Sequence, residues 1–184
     1  MRGIERGGIY YRVCDPTWKN PLDTDYAKRA GGRWNPPGEF GALYLNATIA
    51  VAAANARRNF EGEIATLYDL QPEQRPDLVT VDVGEALFVD VVTPQGIRSL
   101  RLPASFPESV SHERCHVIGR RAYESRRFNG IAYRSNAEAT ATSFVGEELA
   151  VFDRSTALVR KRRRSAFARW YPTEREGPSG PQAM

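Results

Sequence analysis

Cysteine is nearly missing from this sequence: Cys14 and Cys115 are the only two in 184 residues. Two cysteines make no disulfide framework, and without a Cys-x-x-Cys pair there is no thiolate zinc motif. The simplest setting is a reduced one, so a cytoplasmic location is expected. Histidine is equally scarce. His112 and His116 stand four apart, a spacing that suits a metal on a helix, but no acidic ligand or third histidine accompanies them. No metal site is therefore expected. No apolar run approaches the ~20 residues that span a bilayer. The opening MRGIERGGIYYRV has no apolar segment of signal-peptide kind, so no membrane contact is expected. Missing as well are a P-loop, a Gly-x-Gly-x-x-Gly after a strand and a Gly-x-Ser-x-Gly elbow. These gaps exclude the commonest phosphate cradles and the esterase-type nucleophile.

What is present is an ordinary globular balance, with 41% apolar and 26% charged residues. A chain of 184 residues favours one domain with a real core. The net charge is +4, and much of the excess sits in Arg160-Lys161-Arg162-Arg163-Arg164. We place the domain at residues 1–159. Residues 160–184 read as a basic and then Gly/Pro-rich tail ending GPSGPQAM.

Taken in order, Ile9–Val13 reads as a strand and Cys14–Ala30 as a loop. Ala42–Leu45 is a second strand. Asn46 or Thr48 caps an alanine-rich helix running to about Phe60, whose buried face is Ile49, Ala52, Ala53 and Ala56. Ile64–Leu70 reads as a strand. Leu78–Val83 and Ala86–Val92 read as a hairpin turning at Gly84-Glu85. Thr93-Pro94 opens a short helix, and His112–Phe128 a longer one with an exposed basic face. Strands follow at Ile131–Ser135 and Leu149–Phe152, separated by a loop over 136–143. The fold class is α/β of the α+β type, with small mixed or antiparallel sheets and flanking helices.

The densest chemistry lies in Gly31-Gly32-Arg33-Trp34-Asn35-Pro36-Pro37-Gly38. Glycines let backbone approach a ligand. Arg33 offers a planar fork that suits phosphate. Trp34 offers apolar area and one N–H donor. Arg12, Tyr44 and Ser135 stand at strand ends, and in a shared sheet these four residues converge on one cleft. Two arginines suit a diphosphate, a tyrosine a flat ring, and a serine a phosphate or hydroxyl. Together they suit a dinucleotide such as NAD. A separate candidate is the stretch 160–171, where arginines interleave with Phe167, Trp170 and Tyr171. That pattern suits nucleic acid through backbone contact and stacking.

These motifs also carry a family resemblance. Tyr11-Arg12-Val13, Gly31-Gly32-Arg33-Trp34-Asn35-x-Pro37-Gly38, Leu43-Tyr44-Leu45 before an alanine-rich helix, and Gly130-Ile131-x-Tyr133-x-Ser135 before Val151-Phe152 resemble the RES domain family. Its members are the toxins of Xre–RES toxin–antitoxin pairs. The resemblance implies a fold similar to ADP-ribosyltransferases. It also implies cleavage of the nicotinamide–ribose bond of NAD by phosphorolysis (an NAD phosphorylase) or by hydrolysis. NAD is then a substrate and no cofactor is expected. The implied partners are NAD, phosphate and an Xre-type antitoxin protein, with no direct nucleic-acid contact. By motif position the catalytic set is Arg33, Tyr44, Asn55 and Ser135, and the NAD-binding set is Arg12, Arg33, Tyr44 and Ser135. One position departs from the family: its glutamate is Asn55 here, which brings no charge. The alternative reading is accordingly a weak or inactive relative that binds a nucleotide or a partner.

Overall fold

The computed structural model describes residues 1–137 and 146–171. Most of the loop expected over 136–143, and the Gly/Pro-rich end expected from residue 172 onward, lie outside the described residues. Six strands form one mixed sheet: β1 (Gly3–Cys14), β2 (Ala42–Asn46), β3 (Asp77–Val91), β4 (Gly130–Arg134), β5 (Glu147–Phe152) and β6 (Val159–Ser165). Their order is β1-β2-β5-β4-β3-β6, and β1 pairs with β3 as well. That extra ladder closes β1, β2, β5, β4 and β3 into a ring. Only β3 and β4 run parallel. Their connection carries the helices α3 (Pro94–Ser99) and α4 (His112–Glu124), as a parallel crossover requires. The α/β class expected from the sequence is the class observed.

Several elements differ from expectation for identifiable reasons. The polar stretch before the glycine motif ends in a helix, α1 (Asp25–Ala30). Asp25 in its first turn and Lys28 and Arg29 in its last complement the helix dipole. Ile64–Leu70 is not a strand. Thr66 donates to the Asp69 carboxylate from both its backbone N–H and its hydroxyl, at 2.6 and 2.9 Å, and closes a local turn. The expected hairpin at Gly84-Glu85 is one continuous strand, β3. Residues 78–83 of β3 pair with β1 on one edge and β6 on the other, which keeps the backbone extended. Gly84-Glu85 is a bulge rather than a turn: between the Arg6–Ala86 and Gly8–Val83 pairs these two residues of β3 stand opposite the single Gly7 of β1, and Gly8 has φ 97°. Helix α4 stops at Glu124, short of Phe128.

The basic run expected to open a tail is strand β6, and Phe167–Trp170 form the short helix α5. Arg162 pairs with Asp82, and Arg164 with Asp77 at 2.6 Å. Arg164 also donates to the carbonyls of Asp15, Pro16 and Trp18. Phe167, Trp170 and Tyr171 are buried against Ala52, Ala53, Ala56 and Leu67. The packed chain thus continues to Tyr171.

Helix α2 (Ile49–Arg58) is capped by Thr48, whose hydroxyl accepts from Val51 N at 3.1 Å. Its buried face is Val51 to Ala54 and Ala56, while Ile49 is exposed. Both faces of the sheet are covered. One carries Trp34, Phe40, Ile97, Phe106 and Phe152; the other carries Tyr10, Leu43, Leu45, Val81 and Leu149. Cys14 and Cys115 are both free and buried. Among the described residues, no helix is long and apolar enough to cross a membrane.

Candidate functional site

A cleft of about 600 Å³ opens where the ends of β1, β2, β4 and β5 meet the Gly31–Arg33 loop, α2 and the start of α4. That volume lies in the range typical of small-molecule sites. Arg12, Arg33, Tyr44 and Asn55, four of the five expected site residues, line it. Among the described residues the cleft holds three arginines, Arg12, Arg33 and Arg58, against one carboxylate, Glu148. The balance favours an anionic ligand.

The loop that carries Arg33 is held from several sides. Gly31, at φ 76°, ends α1 in a conformation that glycine tolerates best. Gly32 N donates to Asn35 O at 2.9 Å. The Gly32 carbonyl lies 2.8 Å from His116 Nε2. A carbonyl only accepts, so that nitrogen carries the proton. The Tyr44 hydroxyl accepts from Trp34 N at 3.0 Å and donates to Asn35 Oδ1 at 2.7 Å. Burial pushes the Tyr44 phenol well above its ordinary pKa, so it stays a donor. A Cβ on Gly32 would stand 2.5 Å from that hydroxyl, so the loop and Tyr44 meet only because residue 32 is glycine. Fixed in this way, Arg33 has a buried Nη1 with no hydrogen-bond partner among the described residues. A buried unpaired donor is costly in an empty site and is satisfied by an anionic ligand.

The second part of the lining is a cross-strand row. Glu148 of β5 lies opposite Asn46 of β2 and opposite Tyr133 of β4. The Tyr133 hydroxyl donates to Glu148 Oε2 at 2.8 Å. Burial, and then the adjacent Glu148 charge, raise the Tyr133 pKa far above its usual value. Asn55 of α2 donates from Nδ2 to Asn46 Oδ1 at 2.7 Å, and Asn46 in turn donates to the Tyr11 carbonyl at 3.0 Å. The Asn55 Oδ1 is left as an acceptor toward the cleft that this residue lines.

The other residues singled out in the sequence take varied positions. Arg12 lines the cleft, stacks over Trp18 at 5.5 Å and makes a long 3.4 Å contact to the Asp23 carbonyl. Burial lowers its pKa, and Cys14 and Asp23 work against that. Ser135 is fully buried and lies outside the cleft lining. Its Oγ accepts from Ala137 N at 3.1 Å, shaping a turn that presents Asn136 to the cleft. Trp34 is a core residue rather than a ligand platform, 5.4 Å from the Tyr133 ring in an edge contact. His116 bonds the Arg33 loop, and only His112 lines the cleft. Among the described residues, no cluster of three or more His, Cys, Asp or Glu is placed to hold a metal. The aromatic residues expected to stack on nucleic acid are buried.

Sequence reasoning missed Asn46, Tyr133 and Glu148 as cleft residues. A signal for Glu148 was present. It is the second residue of a strand whose following residues are apolar on both alternating faces, so a charge there needs a reason. Its pairing with Tyr133 depends on the register of the β4–β5 ladder.

Comparison with known proteins places this geometry in a family. NAD(+) phosphorylase MbcT of Mycobacterium tuberculosis and of Mycobacterium bovis is 28% identical over 105 residues, 57% of this chain. The chain spans 56% of the length of these curated relatives. A chain of the crystal structure of the M. tuberculosis MbcT–MbcA toxin–antitoxin complex shares the fold, with TM-score 0.74 and 22% identity over 89% of this chain and 86% of that one. The RES domain profile matches residues 9–173, which include every cleft residue described above, and the chain belongs to the RES domain family.

Proposed function

We propose that this chain consumes NAD by breaking the bond between nicotinamide and ribose, with inorganic phosphate as acceptor. The observation that carries the reading is Arg33. Arg33, with a buried guanidinium nitrogen that has no partner among the described residues, lines a cationic cleft that also holds amides and a carboxylate. The name of the MbcT relatives supports phosphate as acceptor. In this reading Arg33 and Arg12 hold the diphosphate, with Arg33 as the stronger ligand because its donors are uncommitted. Tyr44 packs beside the nicotinamide end, and its hydroxyl remains engaged with the loop. Asn55 orients a ribose hydroxyl through Oδ1. The C1′–N bond breaks with its electron pair passing to the pyridinium nitrogen, which becomes neutral. A phosphate oxygen forms the new bond at C1′. Ser135 acts through the turn it holds, beside which phosphate enters. A protein partner of the antitoxin kind that restrains this activity is part of the same proposal, supported by the MbcT–MbcA complex.

The test is nicotinamide release from NAD with and without phosphate. Release is expected to need phosphate and to fall about 10²–10³-fold in Arg33→Ala, the size of losing one preorganised electrostatic group. No release above buffer from the intact chain sinks the reading.

A further inference from the structure

We infer that Glu148 supplies the negative charge that stabilises the ribose cation during NAD cleavage, in place of a carboxylate on helix α2. The inference rests on the proposed NAD cleavage and adds the group that chemistry requires. As the C1′–N bond lengthens, positive charge develops across C1′ and the ring oxygen, and a fixed carboxylate nearby lowers that barrier. Asn55 cannot supply it. Among the described cleft-lining residues only Glu148 can.

Three observations mark Glu148 as more than a core residue. Its exposure is 9%, yet it forms no ion pair among the described residues. A carboxylate so buried is costly unless something compensates it. Its neighbour Glu147 is conventionally paired, with Arg6 at 2.6 Å. Tyr133 donates to Oε2 alone, so Oε1 has no donor among the described residues. Finally, the row Asn46–Glu148–Tyr133 is tied to α2 by the Asn55–Asn46 bond. Residue 55 and residue 148 thus reach the same cleft from a helix and from a strand. A carboxylate can act on the ribose from either side. In the step, Glu148 forms no bond and moves no proton. Its charge is attracted to the ribose more strongly in the transition state than in bound NAD, so its effect falls on kcat.

Glu148→Gln keeps the shape and an acceptor for Tyr133, and its fold is checked by the melting temperature. Expected is a fall in kcat for nicotinamide release of about 10²–10³-fold with KM for NAD little changed. Asn55→Glu placed in that background is expected to restore most of the rate. In the otherwise unaltered chain, Asn55→Glu is expected to give no tenfold gain in kcat, because one carboxylate is already present and the Asn55 donor to Asn46 is lost. Glu148→Gln turning over at the unaltered rate, or raising KM alone, overturns the inference, as does a tenfold or larger gain from Asn55→Glu by itself. If Arg33→Ala still abolishes release in those cases, the NAD reading stands and only the role of Glu148 falls. If the unaltered chain releases nothing, both fall.

Discussion

Arg33 and Glu148 face the same cleft, yet they are held by different means. Arg33 rides on irregular backbone that has no ladder of its own. Side chains from two other elements, Tyr44 of β2 and His116 of α4, bond that backbone from outside. Glu148 rides on a strand paired on both edges, with β2 on one side and β4 on the other. It needs one further bond, from Tyr133, to fix its side chain. The guanidinium therefore depends on many remote residues and the carboxylate on few. Damage far from the cleft should reach the first wall more readily than the second.

Gly32→Ala is the sharpest way to break the Arg33 wall. The added Cβ would sit 2.5 Å from the Tyr44 hydroxyl and 2.8 Å from Asn35 Oδ1, so loop or tyrosine must move. Nicotinamide release is expected to fall as far as in Arg33→Ala, about 10²-fold or more, with a lowered melting temperature. Activity near the unaltered level would show that the loop tolerates displacement. A middle-sized effect should come from Tyr133→Phe in the cross-strand row. Losing one hydrogen bond to a carboxylate costs about 1.5–3 kcal/mol. Here kcat is expected to drop about tenfold, with KM steady and the fold intact. Because Tyr133 acts through Glu148, adding Tyr133→Phe to Glu148→Gln should lower kcat little further. Full additivity of the two changes would refute that coupling.

The smallest effect concerns His112 beside the Arg33 loop. Burial, then Arg33 and His116, lower its pKa below the usual value near 6.5. The unfolded chain therefore binds a proton that the native chain resists. Stability should fall as pH drops below about 6.5, and no contribution of this kind exists above it. Melting curves between pH 7 and pH 5 should show a shallower decline for His112→Gln than for the unaltered chain. Equal slopes would mean that His112 is not the group responsible.

The Arg33 wall was largely legible in the sequence because its logic is local. Arg33 and Tyr44 follow one another from loop to strand, and short-range patterns place them together, while Asn55 was placed by the family resemblance. The Glu148 wall was not legible, because it exists only once β2, β5 and β4 lie side by side. The same cause explains the other departures. Gly84-Glu85 looks like a turn until β1 and β6 grip both edges of β3. Residues 160–171 look like a solvated tail until Asp77 and Asp82 are across from them. Local propensity is overruled wherever tertiary partners satisfy a polar segment. Ser135 is a different case: it is buried just past the end of β4, and its hydroxyl bonds the turn that follows.

The closed strand ring bears on when the cleft first exists during synthesis. Its lining reaches from Arg12 to Glu148, and β5 is the strand that joins β2 to β4. A nascent chain that has not yet delivered β5 can form α2 and the β1–β3 ladder, but it has neither the carboxylate nor the strand that seats Tyr44's neighbours. Such long-range pairing comes late in folding. On the proposed NAD cleavage, the chain would be inert until β5 has been delivered and paired, and activity would begin with that single strand.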